Sequence, residues 1–180
     1  MSALAAYVGF QATQHHRAMG LGQDYIYAQG LVGATAYTMP QPLSPFNWKV
    51  MVLYQDSYYA ARVNLVRERP MILPAGESGF FANLRASYLP VTHMQWQQYT
   101  RFGKKPKDIV LAQAAWRHPA FAPFRRFAMF PVLYKIDRSQ SKLCVWFSDL
   151  HFSLVGRVPP FRYGMCRGSS STSWRLESMP

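Results

Sequence analysis

The sharpest polar pair in the sequence is Asp149 and His151, within "FSDLHF" (147–152). Two residues apart on a strand, they project to the same face. There a carboxylate beside an imidazole can orient a base or ligate a metal. No third partner accompanies them, and no Ser or Cys stands in a nucleophile-elbow pattern. A same-face Asp and His in an otherwise apolar strand also pair with arginines or with each other on a solvated face. Arg62, in "YYAARVNLV" (58–66), is the third polar candidate and falls opposite the apolar face of its own strand. None of the three is assigned a catalytic role, and no metal-ligand set is assigned.

The other histidines add no ligand set. His15 and His16 are adjacent, so on a helix they point about 100° apart and cannot share a metal as an i, i+4 pair would. Cys144 and Cys166 match no metal spacing. Two free buried thiols are the plainer expectation; adjacent strands would bring them together in an oxidising compartment. "GLGQDYIYAQG" (20–30) is not a phosphate loop, since no strand precedes it and no P-loop Lys follows. Basic residues with aromatic neighbours occur in "WQQYTRFGKKPK", "FRRFAMF" and "PPFRYG". That chemistry suits stacking on single strands, but these aromatics have core-like spacing.

The elements that must position these residues belong to a chain of 180 residues, 49% hydrophobic and 16% aromatic, enough for one domain with a sizeable core. Twenty Lys and Arg against eight Asp and Glu give +12 and a pI near 10.1, which favours anionic partners: nucleic acid, lipid headgroups or an acidic protein face. No run reaches the roughly 18–20 apolar residues of a membrane helix. The N-terminus lacks the basic region and cleavage site of a signal peptide.

Residues 3–19 read as a helix, acid-free and ending in His15, His16 and Arg17, with "GLG" at 20–22 as its break. "NWKVMVLY" (47–54) and "YYAARVNLV" (58–66) alternate across a short polar turn and predict a hairpin with Trp48 on its apolar face. Pro42 and Pro45 in "PLSPFNW" cannot donate to a ladder and so set the strand's entry. A strand is expected at 31–40, a helix at 77–89, and irregular or helical chain ending in a basic turn at 94–107. Two short helices divided at Pro119 should fill 107–130, followed by strands at 131–137, 143–153 and 161–167. The expectation is an α+β fold: an antiparallel sheet of about five or six strands with helices packed on one side. Its parts are a helix at 1–20, a single domain at 21–168 and a disordered tail at 169–180.

Four segments in order carry a family resemblance: "MPQPLSPFNWKVMVLYQDSYYAARVNL" (39–65), "AFAPFRRFAMFPV" (120–132), "VWFSDLHF" (145–152) and "GRVPPFRYG" (156–164). Together they resemble the C-terminal part of the bacterial membrane-bound metal-dependent hydrolases, also described as LexA-binding inner-membrane-associated hydrolases. The family has Arg where this chain has His151. Its metal-binding Asp and His residues lie in an N-terminal membrane portion that these 180 residues do not include. The resemblance therefore implies a divalent metal only for that portion and carries no ligand or catalytic role onto any residue here. It implies association with the bacterial inner membrane, and a first helix that follows directly from a membrane helix. The membrane surface, or that membrane portion, is the expected partner. A non-catalytic basic module for nucleic acid or a regulatory protein is the alternative.

Overall fold

The strict alternation at 47–66 produces the hairpin it predicts. In the computed structural model, which describes residues 2–76, 79–139, 141–168, 171 and 173–179, β2 (Asn47–Tyr54) and β3 (Ser57–Asn64) pair antiparallel with Trp48 opposite Val63 and Val50 opposite Ala61. β1 (Thr35–Pro40) pairs antiparallel with the outer edge of β2. β3 also takes the two-residue β4 (Leu89–Pro90) in parallel and β5 (Gln97–Thr100), completing a five-stranded sheet. Between β3 and β4 lies the short helix α2 (Phe80–Ala86); the expected start of that helix at 77–78 lies outside the described residues. Of the irregular or helical chain expected at 94–107, residues 94–105 form no helix, since β5 occupies 97–100, and α3 begins at Pro106.

The first helix is longer than its glycines suggested. α1 runs Ser2–Ala28, straight through the "GLG" expected to break it. It stops where Gly30 takes φ 61. There the Gly30 N–H donates to the Tyr27 carbonyl and the Leu31 N–H to the Ile26 carbonyl, at 3.1 and 3.0 Å, a Schellman closure. Gly22 is inside the helix for a packing reason. A Cβ there would lie 2.8 Å from the Ala36 Cβ and 3.3 Å from Val50 Cγ1. Only a bare backbone lets α1 lie this close to β1 and β2. Ala18, one turn earlier, closes the same face with Trp48, Val50, Val63 and Leu65.

The contacts divide the chain into two compact units, one up to Gln98 and one from Tyr99. The second unit has its own four-stranded antiparallel sheet, in the order β6 (Pro131–Arg138), β7 (Lys142–Asp149), β8 (Tyr163–Gly168) and β9 (Arg175–Ser178). The expectation of one sheet is thereby corrected to two, and the parallel β3–β4 pair makes the first of them mixed. The α+β class holds. α3 (Pro106–Arg117) and α4 (Ala122–Phe127), divided at Pro119 as expected, cover one face of the second sheet. Phe102, Ala112, Ala115, Phe121, Phe124, Val145, Phe147 and Met165 form that core.

On the opposite face Cys144 and Cys166 are direct cross-strand partners with Cα atoms 4.1 Å apart, and they form a disulfide, not two free thiols. Trp146 lies across Gly164 on the neighbouring strand, where any Cβ would run into the indole ring. The tail expected to be disordered contributes β9; residues 169, 170, 172 and 180 lie outside the described ones.

The two helical glycines should respond oppositely to Ala. At Gly20, nothing lies within 4 Å of an added Cβ, so Gly20→Ala should stabilise the protein by up to about 1 kcal/mol through helix propensity. Gly22→Ala should destabilise it by about 1–2 kcal/mol despite that gain, because helix and sheet must separate. Urea unfolding of the two variants checks the signs.

Candidate functional site

The loop that opens β2 is fixed by its own side chains. Pro42 and Pro45 have no N–H to give, but their carbonyls accept from Asn47 Nδ2 (3.1 Å) and Trp48 Nε1 (3.2 Å). Asn47 Oδ1 accepts from Asn64 Nδ2 at 2.7 Å, which ties the loop to the far end of β3. Trp48 is 2% exposed with its one donor satisfied, so it packs. Leu43 sits in this loop at φ 75, a left-handed conformation that costs a branched residue roughly 1–2 kcal/mol. It remains partly exposed along one wall of an apolar groove of about 870 Å³. The opposite wall is one face of α1: Tyr7, Val8, Gln11, Ala12 and His15. His15 closes the polar end, with Nδ1 2.9 Å from Thr38 Oγ1 and its ring 5.8 Å from that of Trp48.

Toward its N-terminus, where Tyr7 and Val8 still line the groove, α1 outruns the sheet. Its 27 residues span about 40 Å, whereas eight-residue β2 spans about 26 Å. Residues 3–9, Ala-Leu-Ala-Ala-Tyr-Val-Gly, are exposed on every side of the helix, with Leu4 at 68% and Val8 at 58%. Phe10 is the first residue to pack, edge-to-face on Phe46 at 5.5 Å. No charge occurs before Arg17, which is held by Gln14 Oε1 (3.2 Å) and the Leu65 carbonyl (2.9 Å). An apolar-all-round segment is the pattern of a buried helix, not of one lying on a surface. Among the described residues no helix is long and apolar enough to cross a membrane.

The polar candidates do not converge. Asp149 ends β7 and is 1% exposed. Its Oδ2 accepts from the Met129 N–H (2.8 Å), and its Oδ1 from the Phe130 N–H (3.0 Å) and the His151 N–H (2.9 Å). Both oxygens therefore fasten the turn between α4 and β6 to the end of β7. His151 is not on the strand, because residues 150–152 form a 3-10 turn capped by Asp149, and its ring lies 4.6 Å from that of Phe152. The expected same-face strand pair is thus replaced by a backbone clamp.

Arg62 belongs to the other unit. With Ser87, Gln95, Trp96 and Gln97 it lines a polar cavity of about 340 Å³. Burial pushes the Tyr88 phenol up to about 12, against the opposing pull of Arg62. Among the described residues one cluster has metal-ligand spacing, Cys144, Cys166 and Glu177. The disulfide occupies its two sulfurs, and Lys142 Nζ is 2.6 Å from the Glu177 carboxylate.

The basic charge is unevenly divided. Fourteen of the twenty Lys and Arg, but only four of the eight acids, lie at 99–180, so the second unit carries +10. Of the aromatics in its basic stretches, Phe102, Phe124 and Phe130 are buried and cannot stack on bases. The core-like spacing read for these aromatics does not hold at Phe127 and Phe161, which are half exposed. Their available signal was the interleaving of Arg with aromatics in "FRRF" and "PPFRYG".

Compared with known proteins, the chain matches no family model, no curated protein and no solved structure.

Asp149→Ala should destabilise the fold by about 3 kcal/mol, since it strands three backbone donors that now share a carboxylate. The near-isosteric Asp149→Asn should recover part of this, because one acceptor oxygen remains. Thermal unfolding of the pair measures both.

Proposed function

We propose that this chain is the extramembrane, non-catalytic part of a protein that works at the bacterial inner membrane, and that the N-terminal turns of α1 enter the lipid. The observation that carries the reading is the exposed apolar collar at residues 3–9, projecting beyond the sheet on which the rest of α1 rests. A segment apolar on all sides is served by a medium that surrounds it, as acyl chains do, and not by a one-sided groove. The second unit, at +10, adds attraction to anionic headgroups. The two components thus reside in different units and can be removed separately.

The resemblance to the membrane-bound metal-dependent hydrolases supports the same reading, with the metal chemistry belonging to the family's membrane portion. The Cys144–Cys166 disulfide favours the oxidising side of that membrane for this part of the protein. His151 and Asp149 serve the fold on this account, and Arg62 is left as a polar residue of a surface cavity.

Co-sedimentation with vesicles tests the proposal. Binding should be stronger to anionic than to neutral vesicles, and added salt should remove the difference. The double substitution Leu4→Asp and Ala5→Asp should weaken binding about tenfold or more at any salt, since burying one Leu contributes about 1.5–3 kcal/mol. Vesicle binding that is absent at low salt, or unchanged by the double substitution, would contradict it.

A further inference from the structure

We infer that the second unit carries a docking site for an acidic, extended peptide segment that inserts one large apolar side chain. The site is a cavity of about 270 Å³ lined by Pro123, Phe124, Phe127, Phe161, Tyr163 and Leu176. Every lining side chain is apolar or aromatic, and the volume suits one Leu- or Phe-sized anchor. Phe127 and Phe161 form the rim at 49% and 48% exposure, with ring centroids 5.6 Å apart. Phe152 supports both, at 5.8 Å from Phe127 and 5.1 Å from Phe161.

Phe161 makes the rim at a conformational cost. Its φ is 54, in the left-handed region where bulky residues are true outliers. Two prolines, Pro159 and Pro160, deliver it there. Such strain persists where surrounding structure imposes it, and it clusters at ligand sites. Here it presents an aromatic ring to solvent.

Charge chooses the occupant. Chain neighbours of the lining residues are arginines: Arg125 and Arg126 between Phe124 and Phe127, Arg162 between Phe161 and Tyr163, and Arg175 before Leu176. Arg125 is spent on the carbonyls of Trp116 and His118, and Arg162 lies over the Tyr134 ring. Arg126 and Arg175 are exposed. Nearby acids are already engaged: Glu177 with Lys142, and Asp149 with three backbone amides. An apolar hole within a +10 unit matches an acidic segment with an apolar anchor, in which charge steers the encounter and the anchor fixes the register. A flat bilayer would leave the hole unfilled, and stacked bases would find two separated rings edge-to-face at 70°, not a platform. This inference is independent of the membrane reading.

The test is fluorescence anisotropy on the full chain, with a short labelled Asp/Glu peptide carrying a single Leu. Replacing that Leu with Ala in the peptide should weaken binding about tenfold. Phe161→Gly should weaken it similarly without lowering Tm, because Gly accepts the left-handed backbone; Phe127→Ala should reproduce the loss. A polyanion without an anchor, such as a single-stranded oligonucleotide, should bind with no dependence on Phe161. Peptide binding that ignores the Leu, or that survives Phe161→Gly and Phe127→Ala, overturns the inference and leaves nonspecific attraction between opposite charges. So does oligonucleotide or anionic-vesicle binding that falls with Phe161→Gly as the peptide's does.

Discussion

The first unit depends on how closely α1 approaches β1 and β2 at Gly22. With no Cβ at that point, the helix backbone rests on Ala36 and Val50, and Ala18 one turn earlier completes the seat. A helix held so tightly at 18–22 cannot slide or tilt to bring its other end onto the sheet. The mismatch between a 27-residue helix and eight-residue strands therefore appears as an overhang. The exposure of Leu4, Tyr7 and Val8 is thus a mechanical consequence of packing some 20 Å away along the same rod.

The second unit is organised by a different constraint. Asp149 gathers three backbone N–H groups where β7 ends and the chain from α4 enters β6. The clamp places Phe127 beside Phe152, and Phe161 joins them from the following loop. The other face of the same sheet is closed by the Cys144–Cys166 bond and by Trp146 lying over Gly164. One unit carries the exposed apolar end of α1, while the other carries fourteen of the twenty Lys and Arg. On the two readings proposed above, contact with a membrane and capture of an acidic partner would use different units of one chain.

Local pattern made parts of this legible in the sequence. The β2–β3 hairpin followed from period-two alternation, and the break at Pro119 from the missing N–H of proline. What local pattern could not carry was partnership between distant segments. The run at 131–168 looked like more strands for one sheet, because nothing in a strand's own residues says which strand it will pair with. The Cys144–Cys166 pair depended on the same unseen register. Gly22 looks like a helix breaker by propensity alone, because the packing that demands it comes from Ala36 and Val50, far along the chain. Asp149 was legible as an important carboxylate but not as a clamp, since its partners Met129 and Phe130 are some twenty residues away. The collar at 3–9 showed its apolar, acid-free character plainly; its exposure required knowing where the sheet ended.

Depth measurement along α1 reaches the central claim most directly. Both native cysteines are joined to each other, so Leu4→Cys and Asp24→Cys can each carry a single nitroxide, about 30 Å apart on the helix. With anionic vesicles present, the label at position 4 should become more accessible to oxygen and shielded from a water-soluble paramagnetic reagent. The label at position 24 should keep its aqueous profile. A position-4 label that stays fully aqueous in vesicle-bound protein, or equal shielding at both positions, would contradict the account that α1 enters the bilayer by its overhanging end.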